Sequence, residues 1–232
     1  MRRLCDPADA RRLLNPGPVA IVTTAWRGSA NAAPIAWTTP LSIDPPRLGV
    51  AIAPERHTAA MIRLSGAFAI NIPGPSLLEQ TAFLGSLSGL QTNKIEAAGL
   101  HTFRPLTIDA PLIEECLAWI ECTVQDAHRI GDHTLFIAEP VKVQADDQAY
   151  VGRWLLQNPE HSPLTYLGGS YYAIIGQPLQ ATYTIDEHGA LVTETPEKRE
   201  ARLEREARQA ELRRLEGEEG LRQRLQTEGS SP

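Results

Sequence analysis

The 232-residue chain has only three cysteines, Cys5, Cys116 and Cys122, so a disulfide framework is excluded because one thiol must stay unpaired. Cys116 and Cys122 fall within one strand-like run, where six residues separate them by about 20 Å, beyond disulfide reach. This cysteine usage fits a reducing compartment. No apolar run approaches the roughly 20 residues of a membrane-spanning helix. The N-terminal residues have arginines but no apolar stretch of the kind a secretory leader needs. The expectation is a soluble, cytoplasmic protein with no membrane role. A broad basic face is also missing: 22 basic against 28 acidic side chains give a net charge of −6, which argues against nucleic-acid binding.

Recognisable catalytic motifs are equally scarce. There is no G-x-x-x-x-G-K-[ST] phosphate loop, no G-x-G-x-x-G after a strand, and no G-x-S-x-G elbow. The six histidines never adopt the i, i+4 spacing of a helical zinc site, and no C-x-x-C occurs, so no metal site is expected. His128 and His133 flank a turn and read as a solvent-exposed pair. With no side-chain nucleophile nominated and no catalytic residue assigned, enzymatic chemistry in this chain would fall to a cofactor.

What the chain does contain is turn punctuation and short β-branched runs. Seventeen glycines and 18 prolines favour many turns and short strands over a helical bundle. Val19–Thr24 reads as a buried strand, Asn31–Ile43 as a second extended run halted at Asp44-Pro45-Pro46, and Leu48–Ala53 as a third. Thr58–Leu64 has helical spacing, with Gly66 placed for a left-handed cap. Phe68–Ile72 is a further strand. Ser76 with Glu79 predicts a capping box opening a helix over Leu77–Leu84, and Asn93 with Glu96 predicts another that ends before Gly99. Cys116–Gln125 and Thr134–Gln144 pair through the His128–His133 connection. The predicted architecture is mainly β, a small closed barrel with peripheral helices.

Charge density then changes. Residues 194–228 hold nine basic and ten acidic side chains, so 1–193 is expected to be the barrel domain and 194–232 a charged, helical extension. Its apolar anchors, Leu212, Leu215 and Leu221, are too sparse for a strong coiled coil. Interleaved arginines and glutamates leave little positive field beyond a Debye length of about 8 Å.

Two segments carry candidate chemistry. Asn31–Pro46 is extended but poor in large apolar side chains, leaving room for a flat ligand; Trp37 offers a π surface, and Thr38 and Thr39 offer hydroxyls. Arg56-His57-Thr58 stands at the start of a short helix, a guanidinium, an imidazole and a hydroxyl suited to a monophosphate. The same residues also fit structural roles, with Thr58 as an N-cap, Arg56 as a surface charge and Trp37 as a core aromatic.

Taken in order, Pro18–Thr24, Asn31–Pro34, Leu41–Pro46, Arg56–Thr58, Phe68–Pro73 and Leu167–Tyr172 resemble the flavin reductase-like family of FMN-binding split barrels, the flavoredoxin group in particular. The resemblance covers residues 10–175 and implies a split β-barrel flavoprotein, an NAD(P)H-dependent FMN reductase. It implies that Ala36, Trp37, Thr38 and Thr39 run along the flavin ring and ribityl chain. Ala53, Arg56, His57 and Thr58 would line the phosphate end, and Tyr172, with Gly168 and Gly169, would approach the ring. Ala36 stands where relatives commonly have a serine, which removes one hydroxyl contact. The resemblance further implies a homodimer, a nicotinamide cosubstrate, FMN with FAD as the alternative, and an oxygenase or other electron-accepting partner. Two other readings stay open: an FMN electron carrier reduced by another protein, and a scaffold that uses the C-terminal helix.

Overall fold

In the computed structural model the described residues are 6–14, 16–179 and, beyond these, 184–185, 187–188, 191–192, 201, 204–205 and 208. The chain divides into two compact units, Met1–Pro178 and Leu179–Pro232. In the second unit β-bridging joins Thr184–Ile185 to Leu191–Val192. The charged segment is helical at Ala201, Glu204, Arg205 and Arg208; Leu212, Leu215 and Leu221 lie outside the described residues.

The first unit begins with α1 (Ala10–Leu14) and β1 (Gly17–Pro18). A hairpin follows, β2 (Ala20–Trp26) and β3 (Ser29–Ile35). Its two turn residues, Arg27 and Gly28, both have positive φ, 50° and 81°, as a tight turn matching the twist of the strands requires. Next come β4 (Thr38–Ser42), β5 (Arg47–Ile52), α2 (His57–Ser65) and β6 (Ala67–Ile72). Two helices, α3 (Leu78–Ser86) and α4 (Lys94–Ala97), precede the short pair β7 (Thr102–Phe103) and β8 (Leu112–Ile113). The long hairpin β9 (Ala118–Ile130) and β10 (His133–Ala145), then β11 (Leu164–Gly168) and β12 (Tyr171–Ile174), complete the unit.

One antiparallel sheet runs β3-β2-β6-β9-β10-β5-β4, and a second runs β1-β11-β12. Residues from β2, β5, β6, β9 and β10 share one core, to which α2 adds Ala59 and Ile62. Alternation along the strands divides the side chains: Ala20 and Val22 face this core, while Ile21 packs outward with Leu77, Leu84, Ile95 and Ile113. The barrel is split rather than closed. No ladder joins β3 to β4 among the described residues, so these two strands form the edges of the seven-stranded sheet, as the expected split barrel has it. Buried Asn71 ties three strands together: its Nδ2 donates to Ile21 O at 2.9 Å and Thr23 Oγ1 at 3.1 Å, and its Oδ1 accepts from Ile113 N at 2.9 Å.

Several local expectations hold. Gly66 caps α2 at φ 68°, its N–H donating to Ile62 O at 2.9 Å. Asn93 caps α4 by accepting from Glu96 N, and its Nδ2 donates to Glu96 Oε2 at 3.1 Å. Others differ. The second extended run breaks at Ala36 and Trp37, where Trp37 O accepts from Ala51 N at 2.9 Å. The Ser76–Glu79 capping box does not form, because Pro75 starts a 3-10 turn over Pro75–Leu77 and Leu77 occupies the cap without a side-chain bond. Cys116 lies in the turn before β9 rather than in the strand; it and Cys122 are buried, free thiols.

Candidate functional site

The start of α2 gathers backbone N–H groups and cationic side chains. Arg56 occupies the N-cap without a side-chain cap bond, so Thr58 is not the cap. The Ala59 and Ala60 N–H groups donate back to Arg56 O at 2.9 and 3.3 Å. The His57 and Thr58 N–H groups have no carbonyl acceptor among the described residues, leaving the positive end of the helix dipole open.

This end of the helix opens into a cleft of about 280 Å³ whose walls include Asn31, Arg56, His57, Thr58, Gly89 and Lys94. Among the described residues, the charged groups on the walls are two cations, Arg56 and Lys94, and one carboxylate, Glu55. Lys94 is only 4% exposed. Its Nζ donates to Leu84 O at 2.8 Å, and burial, followed by repulsion from Arg56, lowers its pKa to about 8. Asn31 Nδ2 donates to Thr58 Oγ1 at 2.9 Å in the buried wall. The α3–α4 loop approaches so closely at Gly89 that a Cβ there would stand 2.9 Å from Asn31 Cγ and 3.0 Å from His57 Cδ2.

Two further clefts continue along β3 toward β4. Pro34 and Gly85 line both the first cleft and a second of about 440 Å³, which is walled by Ala36, Tyr166, Gly169, Ser170 and Tyr172. Tyr166 and Tyr172 stand with ring centroids 5.3 Å apart. Burial, then the neighbouring Tyr166, raises the Tyr172 pKa above its ordinary value, so the phenol keeps its proton. Ala36 also lines a third cleft of about 310 Å³ with Arg11, Leu14, Trp37 and Thr38. Trp37 is 39% exposed and tilts against His133 with centroids 4.4 Å apart, so it is not a core aromatic. His133 pairs with Asp132 and His128 with Asp126; the two histidines do not form a pair of their own.

Of the residues singled out in the sequence, Arg56, His57 and Thr58 meet at the cationic cleft, Ala36 and Tyr172 at the second, and Trp37 and Thr38 at the third. Thr39 is exposed, and its hydroxyl donates to Pro40 O at 3.1 Å; it lines none of these clefts. Ala53 lines none either, its carbonyl accepting from Arg56 N at 3.0 Å at the entry to α2. Gly169 lines the second cleft; Gly168 does not. Sequence reading set Asn31 at the head of a candidate segment without a role of its own, and missed Gly89, Lys94 and Tyr166. The Asn93–Glu96 cap placed Lys94 on a helix but carried no sign of the 38-residue return to Arg56. Among the described residues no group of three or more metal-ligating side chains occurs, and no helix is long and apolar enough to cross a membrane.

Residues 11–174 match the family described as the flavin reductase like domain. An uncharacterised protein of Aeropyrum pernix is 35% identical over 241 residues, covering 100% of this chain and 90% of its own length. The crystal structure of an FMN-binding domain of a flavin reductases-like enzyme from Shewanella baltica superposes with a TM-score of 0.66 at 30% identity, covering 77% of this chain and 96% of that one. The reductase component of a 4-nitrophenol 4-monooxygenase/4-nitrocatechol 2-monooxygenase from Rhodococcus opacus is 32% identical over 127 residues, 55% of this chain and 65% of its own.

Proposed function

The chain belongs to the flavin reductase-like family, and on that premise we propose that it is an oxidoreductase that binds FMN and reduces it with NAD(P)H. The observation that carries this reading is the run of three adjoining clefts, cationic at the α2 end and walled by aromatic and small side chains at the other. A phosphorylated planar ligand matches that polarity. The fit is chemical: a phosphate dianion needs donors and positive charge, and Arg56, Lys94, the Thr58 hydroxyl and the first N–H groups of α2 supply both.

In this reading Arg56, His57, Thr58 and Lys94 hold the phosphate. Pro34 and Ala36, small or rigid residues on β3 and just after it, let a flat ring approach the backbone. Tyr166 and Tyr172 wall one side, and Trp37 and Thr38 stand at the far end. Thr39 and Ala53 drop out as direct contacts; Ala53 keeps an indirect role through Arg56 N. FMN is preferred to FAD because the cationic cleft suits a terminal phosphate.

The flavin supplies hydride acceptance and delivery when bound. The protein's own task is to orient and to exclude water, which calls for no general acid or base. Neutral hydroxyls such as that of Tyr172 act as fixed dipoles beside the ring. The nicotinamide donor, a homodimeric assembly and a cytoplasmic setting complete the reading. Likeness to a monooxygenase reductase component supports an oxygenase as the acceptor of reduced flavin or its electrons.

Equilibrium binding of FMN, FAD and riboflavin to the full chain tests the cofactor assignment. FMN is expected to bind at least about tenfold more tightly than riboflavin, the scale of a charge-assisted hydrogen-bond set. Equal affinities would remove the phosphate assignment.

A further inference from the structure

Asn31 sits at 2% exposure in the wall of the cationic cleft, yet its Oδ1 is buried with no hydrogen-bond partner among the described residues. Buried amides normally satisfy both ends, so an amide with one end idle calls for an explanation. Its other end is committed: Nδ2 donates to Thr58 Oγ1 at 2.9 Å. A hydroxyl that accepts a hydrogen bond there keeps its own proton to donate elsewhere. Among the described residues the Thr58 proton has no acceptor, and Thr58 lines the cleft.

We propose that Asn31 is a positioning residue that fixes the polarity of the Thr58 hydroxyl, holding its proton toward the cleft as a ready donor for a phosphate oxygen. The inference rests on the phosphate reading of the cleft and deepens it by naming the residue that prepares the donor. Gly89 takes part by its lack of a side chain. Its backbone lies against the idle Oδ1, where a Cβ would overlap it, and so closes the amide in from the loop side. Preorganisation of this kind favours an acceptor-only anion over a neutral ligand, because a hydroxyl free to rotate would serve either.

The test compares FMN with riboflavin on the full chain across pH, for wild type and for Asn31→Asp, Thr58→Val, Thr58→Ser, Asn31→Ala and Asn31→Ala/Thr58→Val. An aspartate carboxylate has no proton to give Thr58 and takes the hydroxyl proton for itself. At pH 8 Asn31→Asp is therefore expected to weaken FMN about thirtyfold or more while riboflavin stays within about threefold. The loss should shrink, relative to wild type at the same pH, as acid protonates the new carboxyl. Thr58→Val should lose FMN preference and Thr58→Ser should keep it. With Thr58 already valine, Asn31→Ala should cost FMN less than about threefold more, since the two act through one hydroxyl.

Full FMN preference in Asn31→Asp would overturn the proposal, as would additive losses in the double variant. Equal loss of both ligands would show that Asn31 only packs the wall, which also overturns it. Thr58→Val and Thr58→Ser keep the idea falsifiable if Asn31→Asp does not fold. A wild type without any preference for FMN would bring down the phosphate reading itself, a result distinct from a preference that survives substitution of Asn31.

Discussion

At the residue scale, Arg56 carries the sharpest expectation. Its side chain is exposed at the rim of the cationic cleft, so its contribution is charge and hydrogen bonding rather than packing. Arg56→Ala should weaken FMN about tenfold or more and leave riboflavin nearly unchanged, measured by flavin fluorescence titration. Equal losses for the two ligands would show that Arg56 does not face the phosphate. Trp37 shows the limit of reading residues by type. A tryptophan in an extended run is as often core as ligand platform, and its partial exposure beside His133, decided by the fold, removes the core reading.

At the scale of single elements, α4 delivers Lys94 to the cleft and makes it respond to pH. Its pKa falls from 10.5 to about 8 because burial, then Arg56, penalises the ammonium. The unfolded chain thus binds more protons than the folded one between about pH 8 and 10.5. The cost of burying the charged lysine is present in full below that window and fades as pH rises through it. A phosphate dianion acts the opposite way by favouring the ammonium. FMN affinity should therefore fall as pH rises above 8, with riboflavin flat over the same range, and Lys94→Met should flatten the FMN curve. Binding measured in buffers of different ionisation enthalpy checks the accompanying proton uptake.

Another element, the loop before β8, hangs on Glu121 of β9. Burial acts to raise the pKa of this fully buried carboxyl. Hydrogen bonds from the Thr107 hydroxyl at 2.6 Å, Leu106 N at 2.9 Å, Thr107 N at 2.7 Å and Ile108 N at 3.3 Å together outweigh it and hold the pKa below its ordinary value. The stabilisation is complete above the unfolded pKa and is lost as pH falls through the folded one. Glu121→Ala should cost about 2 kcal/mol in urea unfolding, since these donors lose their acceptor.

The elements also show what was legible in the chain. Gly66 and Asn93 act within a few residues of themselves, so their caps were readable. Ser76 carried the same kind of signal, but the turn begun by Pro75 took that residue inside the 3-10 segment. The break at Ala36 and Trp37 was hidden because the Trp37 carbonyl is taken by Ala51, a partner 14 residues on.

At the scale of the whole molecule, the barrel was readable as alternating short strands with turn punctuation. The groove was readable on its β3–β4 side, at the start of α2 and, through the family resemblance, at Gly169 and Tyr172. Its opposite wall, Gly85, Gly89, Lys94 and Tyr166, comes from segments that meet the rest through tertiary packing, which local pattern does not encode. Among the described residues, those that line the three clefts belong to the unit Met1–Pro178. Deleting residues 196–232 should accordingly leave FMN affinity within about twofold, as independent sites add. Mass measurement of the same variant shows whether the charged segment holds copies of the chain together.

We propose that this groove holds a flavin for reduction by a nicotinamide. An anaerobic titration of the FMN-loaded protein with NADH and with NADPH, followed by flavin absorbance, tests it most directly. Prompt bleaching by at least one donor is the predicted result, and it identifies that donor. A bound flavin that neither donor bleaches would contradict the reductase account and leave a carrier reduced by another protein.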